Sequence, residues 1–164
     1  MLIATQCLAA QSALAGSMPQ LPELPPLPTD YAAVAESSGL YAGILSGPVM
    51  GQDLTGGLAV VVGNTFVASD LLIGLEIMGG ATMDATASIE AVARLGIPLG
   101  EDVSVFANLG VGTHSDDGAF GSTGAAIEVS IGNGWILRGQ YHFAHDFSSD
   151  QDRHAVMAGL VRYF

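Results

Sequence analysis

Residues 134–147 decide the fold; their sequence is Gly-Trp-Ile-Leu-Arg-Gly-Gln-Tyr-His-Phe-Ala-His-Asp-Phe. Mostly apolar side chains occupy every second position, and more polar side chains lie between them. Strict alternation indicates an extended strand, since only a strand sends successive side chains to opposite sides. One face has aromatic residues near both ends of a short aliphatic middle, which is the order of a lipid-facing strand in a membrane barrel. That face carries Trp135, Leu137, Gly139, Tyr141 and Phe143. The other face, which we predict to line a barrel, carries Ile136, Arg138, Gln140, His142, Ala144 and Asp146.

The composition of the whole chain also favours a membrane barrel. Of its 164 residues 49% are hydrophobic and only 12% are charged, and none is lysine. An average soluble domain has about 25% charged residues, because its surface faces water. The longest uncharged runs, such as residues 54–69, are interrupted by glycine and asparagine, so they are poor transmembrane helices. Since lipid admits only helices and closed barrels, a barrel remains.

Charge and cysteine content exclude several classes of function. The net charge is −12 and no basic residues cluster, which argues against nucleic acid as a partner. The single cysteine, Cys7, falls in a predicted leader, so the mature chain has neither a thiolate metal site nor a cysteine nucleophile.

Two segments precede the predicted barrel. Residues 1–15 are apolar and end in a small-x-small cleavage pattern, which predicts a signal peptide, although the basic start of a complete leader is missing, as in a truncated one. The alternative is an ordered N-terminal helix. Residues 16–37 are rich in proline, which predicts an extended periplasmic linker or, alternatively, a ligand for a proline-binding partner.

Residues 38–164 predict an all-β domain, a closed antiparallel eight-stranded up-and-down transmembrane barrel. Most segments have the 9–11 residues that a tilted strand needs to cross a bilayer. They are residues 39–46, 57–67, 71–81, 86–96, 103–113, 123–131, 135–147 and 154–164. Compact turns on one side and mostly longer, acidic loops on the other put both termini in the periplasm. In the first two strands the run Val60, Val61 and Val62 leaves the faces unassigned.

Five charged residues fall on predicted inward faces, where we expect a structural role: Glu76, Glu90, Arg94, Glu128 and Arg138. Eight strands enclose a space that side chains fill, so we predict a plugged interior and no general pore. A hairpin symmetric about Asn133 places Glu128 opposite Arg138. In the same way, symmetry about Met83 brings Glu76 to Glu90, a pair that would need Arg94 or a shared proton.

The last strand, His-Ala-Val-Met-Ala-Gly-Leu-Val-Arg-Tyr-Phe, ends the chain on Phe164. Together with the sequence Leu-Arg-Gly-Gln-Tyr at 137–141, it resembles the opacity-type and outer-membrane-protein-A-like eight-stranded barrels over roughly residues 38–164. The resemblance implies the outer membrane of a Gram-negative bacterium, with Phe164 as the signal for the barrel-assembly machinery. Members of the family serve as adhesins, anchors and scaffolds. Arg162 departs from the apolar alternation that the family shows, so we expect either that it reaches the lipid headgroups or that the register slips at the end of the strand.

We therefore predict a non-enzymatic barrel with a structural, envelope-integrity or surface-interaction role and without cofactor or metal. Its expected partners are outer-membrane lipids and lipopolysaccharide, the assembly machinery, and another envelope protein or surface ligand. The acidic loops, with Asp53, Asp84, Asp116, Asp117, Asp146, Asp150 and Asp152, match no dedicated calcium site and are expected to be solvated, with loosely bridging divalent ions.

Two alternatives stay open. One is a lipid-modifying enzyme of the lipid A deacylase type that uses His142, His145 and Ser148 beside Asp146, although the His-x-Ser spacing of such enzymes is missing. The other is a soluble lipocalin-like ligand-binding barrel, which would need a charged exterior that this chain does not supply.

Overall fold

The computed structural model describes residues 38–116 and 118–164, which form eight antiparallel strands. The strands are β1 (Gly39–Met50), β2 (Leu54–Ala68), β3 (Leu71–Thr82), β4 (Ala87–Pro98), β5 (Val103–His114), β6 (Gly118–Gly132), β7 (Trp135–Asp146) and β8 (Asp152–Tyr163). Each strand pairs with the next, and β1 pairs with β8, so the prediction of a closed eight-stranded barrel is confirmed. The predicted signal peptide and linker lie outside the described residues. Within those residues, no helix has the length and apolar character to cross a membrane.

The register between strands determines their tilt. Stepping from Leu40 to its partner on β2, and on around the barrel from partner to partner, leads back to β1 at Met50, ten residues further along. With about 3.3 Å per residue along a strand and about 4.8 Å between strands, this offset tilts the strands by about 40°. A strand of 12 residues at that tilt rises about 30 Å, the thickness of a bilayer's hydrocarbon core.

The two faces of the barrel wall differ sharply in polarity. Outward side chains in the middle of the strands are aliphatic and exposed, for example Leu75 (64%) and Leu109 (68%). In β2 the structure assigns the faces that the sequence left open, because Val61 is buried inside while Val60 and Val62 point outward. Apolar side chains inside the barrel cluster mainly against β1, β2 and β8. On the opposite side the charged residues share the interior with a smaller apolar cluster of Leu72, Phe106 and Ala126.

The connections fall at two ends of the barrel. At the loop end they are residues 51–53, 83–86, 115–117 and 147–151, and at the terminus end, where β1 begins and β8 ends, they are 69–70, 99–102 and 133–134. The predicted loops 47–56 and 114–122 are therefore mostly strand, so these two bounds are wrong, and the predicted contrast in loop length is smaller than expected. The glycines in these segments suggested loops, yet Gly47 is needed within β1 because a Cβ there would overlap the Val156 carbonyl of β8.

The hairpin between β6 and β7 contains a bulge. Gly132, Asn133 and Gly134 all have positive φ angles, and Asn133-Gly134 forms the two-residue turn that such angles favour. Gly132 pairs with Trp135, so the predicted pairing of Ile131 with Trp135 is wrong. Ile131 is the extra residue of the bulge, and beyond it the predicted register holds.

Candidate functional site

The lumen is the candidate functional site because the structure brings the charged side chains of four strands together there. Glu76 comes from β3, Glu90 and Arg94 from β4, Glu128 from β6 and Arg138 from β7. All five are at most 4% exposed. They point inward because they occupy the same alternate positions as the small and polar residues of their strands, while the aliphatic residues take the outward positions.

Four of these residues, Glu76, Arg94, Glu128 and Arg138, form a closed array that we call the four-charge network. Glu128 Oε1 accepts hydrogen bonds from Arg138 Nε and Arg94 Nη2, both at 2.7 Å. Glu76 Oε2 lies 2.5 Å from Arg138 Nη1 and 3.7 Å from Arg94 Nη1. Each arginine thus contacts both carboxylates. Because the network has two positive and two negative side chains, it is electrically neutral. Such mutual pairing offsets the cost of removing four charges from water.

Aromatic rings complete the plug around this network. The Tyr41 hydroxyl donates to Glu76 Oε2 at 2.7 Å and accepts from Arg94 Nη1 at 3.0 Å. The guanidinium of Arg94 lies 4.1 Å from the centre of the Phe106 ring, a cation–π contact. The ring centres of Tyr163 and Tyr41 are 4.9 Å apart. The Tyr163 hydroxyl donates a hydrogen bond to Glu128 Oε2 at 3.5 Å. The lumen is closed at this level by packed side chains.

The sequence reasoning missed both tyrosines. Tyr41 lies on β1, where the mixed glycine and alanine positions hid the alternation. A signal for Tyr163 was present, because a chain that ends with Phe164 outward must turn the preceding residue inward.

The predicted meeting of Glu76 with Glu90 is wrong. Glu76 pairs across the strands with Val92, and Glu90 pairs with Met78. Glu90 instead lies nearer the loop end, where its Oε2 is 2.9 Å from His142 Nε2 and its Oε1 accepts a hydrogen bond from Ser122. Each carboxylate therefore has cationic or polar partners of its own, and the two do not lie opposite each other.

A small cavity of about 60 Å³ lies beside Glu90 and His142, on the side of the loop end. Glu90, His114 and His142 contribute its polar lining, and Met78 and Met157 part of its apolar wall. The His114 ring stacks on Phe120 at 4.1 Å. A cavity of this size has room for a few water molecules, whereas sites for organic ligands usually measure about 300–1,000 Å³. This cavity, lined by described residues alone, is therefore too small for a ligand of the lipocalin kind.

The residues of the proposed hydrolase do not come together. His142 faces the lumen and binds Glu90, while His145 faces outward, with its Nδ1 atom 2.8 Å from Asp152 Oδ1. The Ser148 backbone N–H donates to Asp146 Oδ1 at 2.7 Å, which ties Ser148 to the turn after β7. The His145–Asp152 pair has the form of a base and its orienting group, but the Nε2 atom of His145 faces the Asp150 carboxylate at 3.8 Å and not a serine hydroxyl.

The acidic residues at the loop end are partly used in local hydrogen bonds. Asp84 accepts from the Thr82 hydroxyl, and this bond holds the pKa of the Asp84 carboxyl below its usual range. Asp116 accepts from Ser115 and, at 2.9 Å, from Thr86, and these bonds likewise lower the pKa of its carboxyl. Across residues 38–116 and 118–164, no three histidine, cysteine or acidic side chains are grouped as a metal site would need.

No protein-family model and no curated protein matches the chain. Solved structures do match it. A barrel from the de novo design of transmembrane β-barrels is 15% identical, with a TM-score of 0.54 over 76% of this chain and 95% of its own. Neisserial surface protein A is 9% identical, with a TM-score of 0.54 over 77% of this chain and 98% of its own. Ail, the attachment invasion locus protein of Yersinia pestis, is 14% identical, with a TM-score of 0.53 over 77% and 97%. At these identities the likeness shows the fold alone: the chain folds as a small barrel of the outer-membrane type.

Proposed function

We propose that this chain is a non-enzymatic barrel in the outer membrane of a Gram-negative bacterium, with a structural, envelope-integrity or surface-interaction role. One observation carries the proposal: the wall is apolar outside, while buried charges fill the lumen. A soluble protein rarely exposes an apolar patch of more than a few hundred Å², yet here the aliphatic surface runs over all eight strands. Such an exterior is stable in lipid, where a closed barrel satisfies every backbone hydrogen bond within its wall.

The plugged lumen argues for this role over transport. The four-charge network and the rings of Tyr41, Phe106 and Tyr163 fill the cross-section, so a solute could pass only if several ion pairs broke together. The separation of His145 from any hydroxyl nucleophile in the described residues argues against the lipid-modifying alternative. Membership of the opacity-type or outer-membrane-protein-A-like family rests on the pattern of the last two strands and is part of the proposal.

The orientation that we propose puts the terminus end in the periplasm and the loop end outside. The aspartates of the loop end would then lie beside the lipopolysaccharide leaflet, where loosely bound divalent ions offset their charge. Phe164 would act as the recognition signal for the barrel-assembly machinery. A surface ligand or a second envelope protein would meet the short connections of the loop end, or the ends of the strands between them and the lipid.

The test is electrophoresis in SDS of membrane fractions and of protein refolded in detergent, with and without boiling. A folded barrel resists SDS, so the unboiled sample is expected to migrate apart from the boiled one. Identical mobility of the two samples, together with recovery of the protein in the soluble fraction, would refute the membrane function. The boiled sample of the same preparation is the control for the unfolded chain.

A further inference from the structure

Arg162 is the one arginine of the chain that points away from the lumen. The chain has four arginines and no lysine, and Arg94, Arg138 and Arg153 all occupy inward positions on their strands. Arg162 is exposed on the outer face of β8, one position before the strand ends at Tyr163. It therefore lies at the terminus end, at the edge of the aliphatic surface.

The described side chains next to Arg162 are apolar. Its neighbour on β7 is Trp135 and its neighbour on β1 is Ala42, while Leu160 and Phe164 flank it along β8. The guanidinium carbon lies 5.2 Å from the centre of the Trp135 ring, a stacking contact that holds the side chain in place. In the part of the chain that the structure describes, no carboxylate lies within 4 Å of this guanidinium.

The acidic residues of the terminus end lie elsewhere on its rim. Asp70 belongs to the turn between β2 and β3, and Glu101 and Asp102 belong to the turn between β4 and β5. The described residues of the rim between β6 and β1 carry no acidic side chain. With a net charge of −12, the protein as a whole repels anions, and Arg162 is the exposed cationic side chain that the described part of this end offers to an anion.

We propose that Arg162 and Trp135 form a binding site for the phosphate of an anionic phospholipid. The planar guanidinium matches the geometry of phosphate oxygens with two parallel hydrogen bonds, and an indole ring beside it favours the membrane interface. The apolar side chains around the site would then contact the acyl chains of the same lipid. This site rests on the proposed membrane function, because it requires the aliphatic surface to be in a bilayer.

The chain carries its own reporter for this site, since Trp135 is its only tryptophan. The refolded protein is placed in vesicles that mix phosphatidylcholine and phosphatidylglycerol, with bromine on the acyl chains of one lipid or the other. Quenching of Trp135 fluorescence gives the ratio in which the two lipids occupy the position beside it. An arginine near a membrane surface favours an anionic lipid by an energy that corresponds to about fivefold in occupancy, which is the ratio expected for the wild type.

Three variants sharpen the test. Arg162→Gln is expected to bring the ratio to about one, and Arg162→Lys, which keeps the charge without the planar group, to retain part of the preference. Arg153→Gln removes the same charge at the opposite end and should leave the wild-type ratio unchanged. A wild-type ratio of one, or equal ratios for wild type and Arg162→Gln, would overturn the lipid site while the barrel remains in the membrane. Absence of quenching by either lipid would show that Trp135 is not in the bilayer, and would overturn the membrane function as well.

Discussion

Glu128 on β6 lies directly opposite Arg138 on β7, and its Oε1 atom accepts a hydrogen bond from Arg138 Nε at 2.7 Å. The predicted pairing of these two residues is confirmed, and both are buried in the lumen. A charge left there without its partner carries a large desolvation cost. We expect Glu128→Gln and Arg138→Met each to lower the free energy of unfolding of the refolded barrel by about 3–5 kcal/mol.

The double variant is expected to lose less than the sum of the two single losses. It removes one charge of each sign and leaves Arg94 with Glu76, 3.7 Å apart, as a balanced pair. Urea unfolding of the four proteins, refolded in the same lipid, measures the coupling. Strictly additive losses would show that the two side chains do not interact.

Replacing Glu76 and replacing Glu90 by glutamine should lower the free energy of unfolding by different amounts. Glu76 binds the guanidinium of Arg138, a permanent cation, whereas Glu90 binds the imidazole of His142 and the hydroxyl of Ser122. We expect Glu76→Gln to cost about 3–5 kcal/mol and Glu90→Gln about 1–3 kcal/mol in the same unfolding experiment. Equal costs would indicate that the contact of Glu90 with His142 stabilises the barrel as much as the ion pair of Glu76 with Arg138.

Gly47 and Gly79 form a matched pair for testing the close approach of β1 to β8. A methyl group at Gly47 would overlap the Val156 carbonyl, while one at Gly79 would meet no atom within 4 Å. We expect Gly47→Ala to destabilise the barrel by about 1–3 kcal/mol. Gly79→Ala should be neutral or stabilise it by up to about 1 kcal/mol, since alanine restricts the unfolded chain. A stable Gly47→Ala variant would mean that β1 and β8 are further apart than described.

Single cysteines test which surface faces lipid and which end faces out. Leu137→Cys and Ile127→Cys lie on the outward face and should not react with polar thiol reagents in the folded protein. Asp150→Cys at the loop end should be labelled on intact cells, and Glu101→Cys at the terminus end only after the cells are opened. The reverse order for these last two would invert the proposed orientation.

Deletion of Phe164 should affect assembly in cells more than stability. Its side chain is 75% exposed and its backbone N–H makes a single hydrogen bond, to Leu40 at 2.9 Å. Refolding into detergent should therefore remain nearly intact, while the SDS-resistant fraction in cells falls. A normal folded yield in cells would place the assembly signal elsewhere in the chain.

Alternation along β7 was enough to predict both faces of that strand, because the side chains at one set of alternate positions are mostly apolar and those at the other set are not. The cross-strand partner of Glu76 could not be predicted from alternation in the same way. The observed pairing of β3 with β4 differs from the predicted one by two residues. A shift of two residues keeps every side chain on the same face of the sheet, so both registers fit the same pattern of polar and apolar residues. Loop length was mispredicted for a related reason, since Gly47 and Gly118 serve close strand contact and a positive φ angle within strands.

The bulge at Ile131 has a consequence for how such a chain can change in length. An insertion of one residue between Glu90 and Arg94 would turn either the residues before it or those after it inside out, and an arginine or a glutamate would enter the lipid. Insertions and deletions within these strands should therefore survive in pairs of residues. Beside Asn133 the wall already holds one unpaired residue, so this hairpin is the place where a change of a single residue can be absorbed.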